Sequence, residues 1–132
     1  AIIGLGQLGR AIVNYFRGRR QKLEITAAFD KDPAKIGRVV NGVRCYSIDN
    51  LEKILREKGI DVAILAIPEE QAQSIGERLV QAGVKGVLNY APIQLHLPNT
   101  IYVENRDMIM AVEKVAYFSR QNSEEGFHET LS

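Results

Sequence analysis

At 132 residues, with 45% apolar and 25% charged side chains, the chain has the make-up of one globular domain large enough for a real core. Seventeen basic and sixteen acidic residues leave a net charge of +1, too even a balance to make nucleic acid or a membrane surface the expected partner. No apolar run approaches the roughly 18 residues of a membrane span, and Cys45, the only cysteine, excludes an internal disulfide, so a reducing cytoplasm is the expected compartment.

Ala1-Ile2-Ile3 reads as a short strand running into Gly4-Leu5-Gly6-Gln7-Leu8-Gly9, which has the form G-x-G-x-x-G. With a strand before it, a helix after it and an acid about 20 residues on, that spacing is a dinucleotide phosphate loop. Gly4 allows the tight turn, Gly6 lets the backbone approach a pyrophosphate, and Gly9 lets helix and strand pack closely. Leu8, Ala11, Ile12, Tyr15 and Phe16 predict a helix to about Arg17 with one apolar stripe facing a sheet. Three residues are few beside the usual strand of about five or six, so the chain is expected to be part of a longer protein that continues ahead of Ala1.

Arg17-Gly18-Arg19-Arg20-Gln21-Lys22, with Arg10 nearby, is a basic turn without the interleaved aromatics of a nucleic-acid site, and reads as a solvated charged turn. Glu24–Asp30 is the second predicted strand. Asp30 at its end lies 21 positions after Gly9, where a carboxylate accepts ribose hydroxyls and repels a 2′-phosphate, which favours NAD over NADP; Lys31 softens that exclusion. The alternative is that Asp30 caps the Asp32-Pro33 turn.

Asp32-Pro33-Ala34-Lys35-Ile36-Gly37 predicts a single helical turn, and Asn41-Gly42 a tight turn before a short strand over Val43–Tyr46. Ser47 caps a helix with Ile48, Leu51, Ile54 and Leu55 on one face, ended by Gly59. Val62–Ile67 is continuously apolar, the pattern of a parallel strand covered on both faces, and Pro68 ends it. A helix from Glu69 to Gly83 buries Ala72, Ile75, Leu79 and Val80, and Gly86–Tyr90 and Ile101–Glu104 are the last strands.

Asp107 caps a final helix whose stretch from Met108 to Phe118 is apolar nearly all round, whereas a surface helix carries one stripe. Burial against a second subunit is the expectation, and packing on its own sheet the alternative. The residues from Gln121 to Ser132 read as a polar, fraying tail.

Strands alternating with helices predict an α/β, doubly wound, mostly parallel sheet, in which ligands lie beyond the carboxyl ends of the strands. That places the search at Gly4 to Gly9, Asp30, Ile67-Pro68, Asn89 to Pro92 and Glu104 to Met108. His96, His128, Cys45 and the tyrosines offer no placed catalytic group, and metal-ligand spacing is lacking.

Together the motifs resemble the Rex redox-sensing transcriptional repressors, from Ala1 to about Arg120. The resemblance rests on the glycine loop with Tyr15 down the following helix, on Phe29 to Gly37, on Ala82 to Pro92, and on Val103-Glu104-Asn105-Arg106-Asp107. It implies the Rossmann fold and a homodimeric bacterial repressor that senses the NADH to NAD ratio. Operator DNA would be bound by an N-terminal winged helix preceding Ala1 and absent from this chain.

The domain implied is 1–120, with a dimerisation helix from about residue 107 exchanged between subunits and a polar tail over 121–132. Cofactor contacts would fall to Gly4, Leu5, Gly6, Gln7, Leu8, Gly9, Asp30, Lys31, Ile67, Pro68, Asn89, Tyr90, Ala91 and Pro92, with Met108 entering the partner's nicotinamide pocket. Tyr15 and Asp107 match positions linked to the switch, and Val112 and Val115 lie on the expected interface. The resemblance implies neither a catalytic residue nor a metal. Rival readings are the cofactor domain of an NAD-dependent oxidoreductase and a CoA-binding domain of the acyl-CoA ligase type.

Overall fold

The computed structural model describes residues 1–17 and 22–131, apart from the side chains of Met108, Met110 and 123–131. The strands are β1 (Ile2–Ile3), β2 (Ala28–Asp30), β3 (Val39–Val40), β4 (Val43–Ser47), β5 (Val62–Leu65), β6 (Gly86–Asn89) and β7 (Tyr102–Asn105). They form one sheet in the order β3-β4-β2-β1-β5-β6-β7, parallel throughout except for the β3/β4 hairpin. The chain builds outward from β1 through β2 and β4, then returns to build outward on the other side through β5, β6 and β7. This is the expected doubly wound sheet, and its order reverses at β1.

Alternation along the strands sends side chains to opposite faces. Ile3, Phe29 and Leu65 enter the larger core, with Leu51, Leu55, Ile75 and Leu79 from α2 (Leu51–Lys58) and α3 (Glu69–Gln81). Ile2, Ala28 and Cys45 enter the smaller one, beneath Val13 of α1 (Gln7–Phe16). Full burial of each large aliphatic or aromatic side chain contributes about 1.5–3 kcal/mol, so this sheet is held from both faces.

Turn chemistry follows the residues. Asn41 (φ +50°) and Gly42 (φ +83°) occupy the left-handed region that a two-residue hairpin requires. Ser47 Oγ accepts the Asp49 amide at 3.2 Å and starts a 3₁₀ turn, Ile48–Asn50, that leads into α2; Gly59 at φ +62° ends that helix.

Several expectations are corrected. Gly9 and Val13 are the buried residues of α1, whereas Leu8, Ala11 and Tyr15 face outward. The cause is Gly9, which packs on the Gly4 carbonyl so closely that a Cβ there would overlap it, and this fixes the rotation of α1. Strand two is shorter than expected, because its ladder with β1 begins at Ala28 opposite Ile2. β5 likewise ends at Leu65 rather than Ile67. Asp32 to Gly37 makes the single turn expected, the Asp32 carbonyl accepting the Lys35 and Ile36 amides, and goes no further as a helix. β3 was not expected; the Asn41-Gly42 turn folds it back on β4. The basic turn lies largely outside the described residues, at 18–21.

The last helix, α4 (Met108–Leu131), continues past Arg120 through the stretch read as a fraying tail, since no proline interrupts it. Asp107 starts it as expected, its Oδ1 accepting the Ile109 amide at 3.0 Å and its carbonyl that of Ala111. Residues 111–122 are all exposed, including Val112, Val115, Tyr117 and Phe118, so this stretch does not pack on its own sheet.

Candidate functional site

A cleft of about 410 Å³ opens at the carboxyl ends of β1, β2 and β5, where the strand order reverses. Gly4 forms its floor. The Gly4 amide donates to the Phe29 carbonyl at 2.8 Å, and its φ of +99° turns the chain under the end of β5. A Cβ at Gly4 would overlap the Ala66 carbonyl oxygen, so only glycine passes there. Gly6 is the opposite case, with extended backbone (φ −72°, ψ −163°) and nothing within 4 Å of a built Cβ. That open space lies over the start of α1, whose first turn carries no carboxylate and presents amide donors and the positive end of the helix dipole.

Asp30 stands at the rim, its side chain 12% exposed. Oδ2 accepts the Leu5 amide at 2.8 Å and Oδ1 the Asp32 amide at 2.9 Å, while Lys35 Nζ lies 3.8 Å from Oδ2. Burial pushes its pKa up, but the Leu5 and Asp32 amides and the Lys35 charge outweigh this and hold it below the ordinary value of 3.8. The capping reading of Asp30 holds, since it accepts the Asp32 amide, and its ionised carboxylate also lines the cleft. Each oxygen keeps a lone pair for a hydroxyl donor.

Of the predicted contact residues, Gly4, Gly6, Asp30, Lys31, Ile67 and Pro68 line this cleft together. Leu5 is buried beneath it. Gln7, Leu8 and Gly9 form the first turn of α1 beside it. Asn89, Tyr90, Ala91 and Pro92 follow β6 and are not in its lining. Asn89 is fully buried: its Nδ2 donates to the Ile93 carbonyl and to Asn105 Oδ1, both at 2.9 Å, and its Oδ1 accepts the Ala91 amide at 3.0 Å. It thus ties the ends of β6 and β7 together and shapes the loop from Ala91 to Ile93.

Sequence reasoning missed the far wall of the cleft. Gln71, Ser74, Ile75 and Arg78 of α3 line it together with Ile48 of the 3₁₀ turn. Their spacing of three and four is that of one helix face, a signal present in the sequence but masked by the apolar residues beside it. Arg78 grips Glu52 of α2 through Nε, at 3.1 Å from both carboxylate oxygens, and its Nη2 donates to the Ile48 carbonyl at 2.8 Å. The Arg78 hydrogen bond holds the Glu52 carboxyl below its ordinary range. His96 lies outside the cleft, its backbone amide and carbonyl bonded to Gln73. Cys45 is buried in the sheet, and no metal-binding cluster occurs among the described residues.

Fold and site together define a doubly wound domain with a glycine-rich loop and a fixed carboxylate at its switch point. The chain belongs to the CoA binding domain family, whose model matches residues 1–93. Its similarity to Rex proteins extends further. A redox-sensing transcriptional repressor Rex from Roseiflexus sp. (strain RS-1) is 40% identical over 118 residues, 89% of this chain and 54% of that protein. The crystal structure of RSP, a Rex-family repressor, in complex with β-NAD⁺ and operator DNA matches with TM-score 0.85 and 34% identity, covering 97% of this chain and 58% of that one. RSP in complex with β-NADH matches with TM-score 0.84 and 34% identity, over 97% and 61%. The chain spans little more than half the length of the curated relatives it matches.

Proposed function

We propose that this chain is the NAD(H)-binding sensor domain of a cytoplasmic, redox-responsive transcriptional repressor, in which NADH releases the full-length dimer from operator DNA. The observation that carries the reading is the Asp30 carboxylate, fixed and ionised at the rim of a cleft whose floor leaves open space over Gly6. A dinucleotide fits this arrangement. Gly4 to Gly9 would hold the pyrophosphate through backbone amides, Asp30 the adenosine ribose, and Ile48, Ile67 and Ile75 the apolar faces beyond it. What the cofactor supplies when bound is a ring that is cationic when oxidised and neutral when reduced. An apolar pocket admits the neutral ring at less desolvation cost, and a ligand shifts a two-state protein only by such a difference in affinity.

Dimerisation through α4 belongs to the same reading. Ile109, Val112, Val115, Tyr117 and Phe118 are each about half exposed or more, an apolar surface larger than a solvated helix carries. The outward face of α1 adds Leu8 and Tyr15, 40% and 58% exposed, beside the glycine loop. A partner's α4 laid along such a surface would bring Met108 to the nicotinamide end and Asp107 and Tyr15 to the subunit boundary.

Titration calorimetry with NADH, NAD⁺, NADPH and CoA tests the reading. NADH binding tightest, with NAD⁺ behind it and NADPH and CoA weaker still, is the expected order. CoA binding more tightly than NADH would overturn it in favour of the CoA reading, for which Asp30 has little use.

A further inference from the structure

We propose that Arg78, locked by Glu52, is a positioning residue for the adenosine end of the cleft. Arg78 both lines the cleft and donates to the carbonyl of Ile48, another lining residue on the 3₁₀ turn. That turn is anchored on its other side to the ribose site, because Ser47, which caps it, pairs with Asp30 across β4 and β2. A guanidinium on α3 therefore joins the helix carrying Gln71, Ser74 and Ile75 to the turn carrying Ile48.

The α2–α3 pair does not need this link in order to pack. Leu51, Leu55, Ile75 and Leu79 are buried in one core, and Arg56 Nη2 donates to the Gln81 carbonyl at 2.9 Å near the far end of the pair. Arg78 and Glu52, each 29% exposed, sit instead at the cleft edge of that contact. The planar fork of an arginine on a carboxylate fixes direction as well as distance, and it leaves one N–H group aimed at Ile48. The result is a wall of stiff β-branched side chains, Ile48 and Ile75, with the polar groups of Gln71 and Ser74 on the same wall: apolar faces for a purine and hydrogen-bonding partners for its edge.

The inference rests on the proposed function only in that the ligand carries adenosine diphosphate, which NAD(H) and CoA share. ADP is accordingly the probe for the adenosine end and inorganic pyrophosphate the probe for the glycine loop, both titrated by NMR into the wild-type chain, Arg78→Ala and Glu52→Gln. NADH is titrated into the wild type alongside. Loss of a charge-assisted hydrogen bond from the wall predicts ADP affinity about ten-fold lower in both variants, with pyrophosphate affinity unchanged. Arg78→Lys, which keeps the charge without the fork, is expected to stay near the alanine variant.

A merely structural bridge would lower the melting temperature and weaken ADP and pyrophosphate alike, and that outcome overturns the proposal. So does unchanged ADP affinity in Glu52→Gln, the variant least disturbing to the fold. A wild-type chain that binds ADP but not NADH would defeat the sensor reading and leave this inference standing; one that binds neither defeats both.

Discussion

Replacing Gly6 by alanine separates folding from binding at this site. The Gly6 backbone lies in a region open to any L-residue, and a Cβ there meets nothing within 4 Å. Alanine restricts the unfolded chain, stabilising by about 0.4–1 kcal/mol, and caps α1 less well than glycine by roughly 0.5 kcal/mol. These nearly cancel, so the melting temperature should move by no more than about 2–4 °C. Binding should respond differently. The new methyl fills the space through which a phosphate must reach the α1 amides, and two lost bonds to a charged group at about 1.5 kcal/mol each predict roughly hundred-fold weaker NADH binding. Calorimetry and a thermal melt on the same sample decide it. NADH affinity within about three-fold of wild type would refute the placement of the phosphate. Gly9→Ala provides the contrast: its Cβ would overlap the Gly4 carbonyl oxygen, and it should cost about 2–3 kcal/mol of stability before any ligand is added.

Asp30→Asn should flatten part of the acid limb of stability. A carboxyl with a depressed folded pKa contributes fully above its unfolded value near 3.8, and the contribution is lost as pH falls through the lower folded value. Urea midpoints measured from pH 5 downward check this, and an unchanged acid limb would contradict the amide contacts to Asp30. Val115→Glu on the exposed apolar side of α4 should turn a concentration-dependent dimer into a monomer in analytical ultracentrifugation, with little change in the domain's melt. A wild-type chain that is monomeric at every concentration would remove the dimer. Cys45, 1% exposed and with burial pushing its thiol pKa up, should react with a thiol reagent at least about a hundred-fold more slowly in the native than in the unfolded chain; fast native labelling would bring thiol chemistry into the sensing account.

The glycine loop was legible because its spacing is imposed by backbone geometry that a sequence states directly: Gly4 and Gly9 occupy positions a side chain would overlap. The parallel, doubly covered sheet was legible for a similar reason, since Val62 to Leu65 carries the continuous apolar run of a strand with both faces covered. The facing of α1 was not. Its apolar residues outnumber the positions the sheet can cover, and the choice between Tyr15 and Val13 is made by Gly9, a residue with no hydrophobicity to count. Arg78 and Glu52, 26 positions apart, meet only once α2 and α3 lie side by side, and no periodicity reports a contact of that kind. The resemblance implied a cofactor contact at Asn89; its burial was not legible, since it follows from the close approach of β7, which supplies Asn105.

The bond from the Leu5 amide to Asp30 makes the glycine loop and the acid at the end of β2 a single preassembled piece. The cost of ordering them falls on folding rather than on binding, which would leave the adenosine half of the proposed dinucleotide with a preformed anchor. Oxidised and reduced nicotinamide dinucleotides are identical atom for atom in that half. In the sensor proposed, such an anchor would hold both alike and supply affinity without preference, so the ability to tell one redox state from the other would reside at the opposite end of the cofactor.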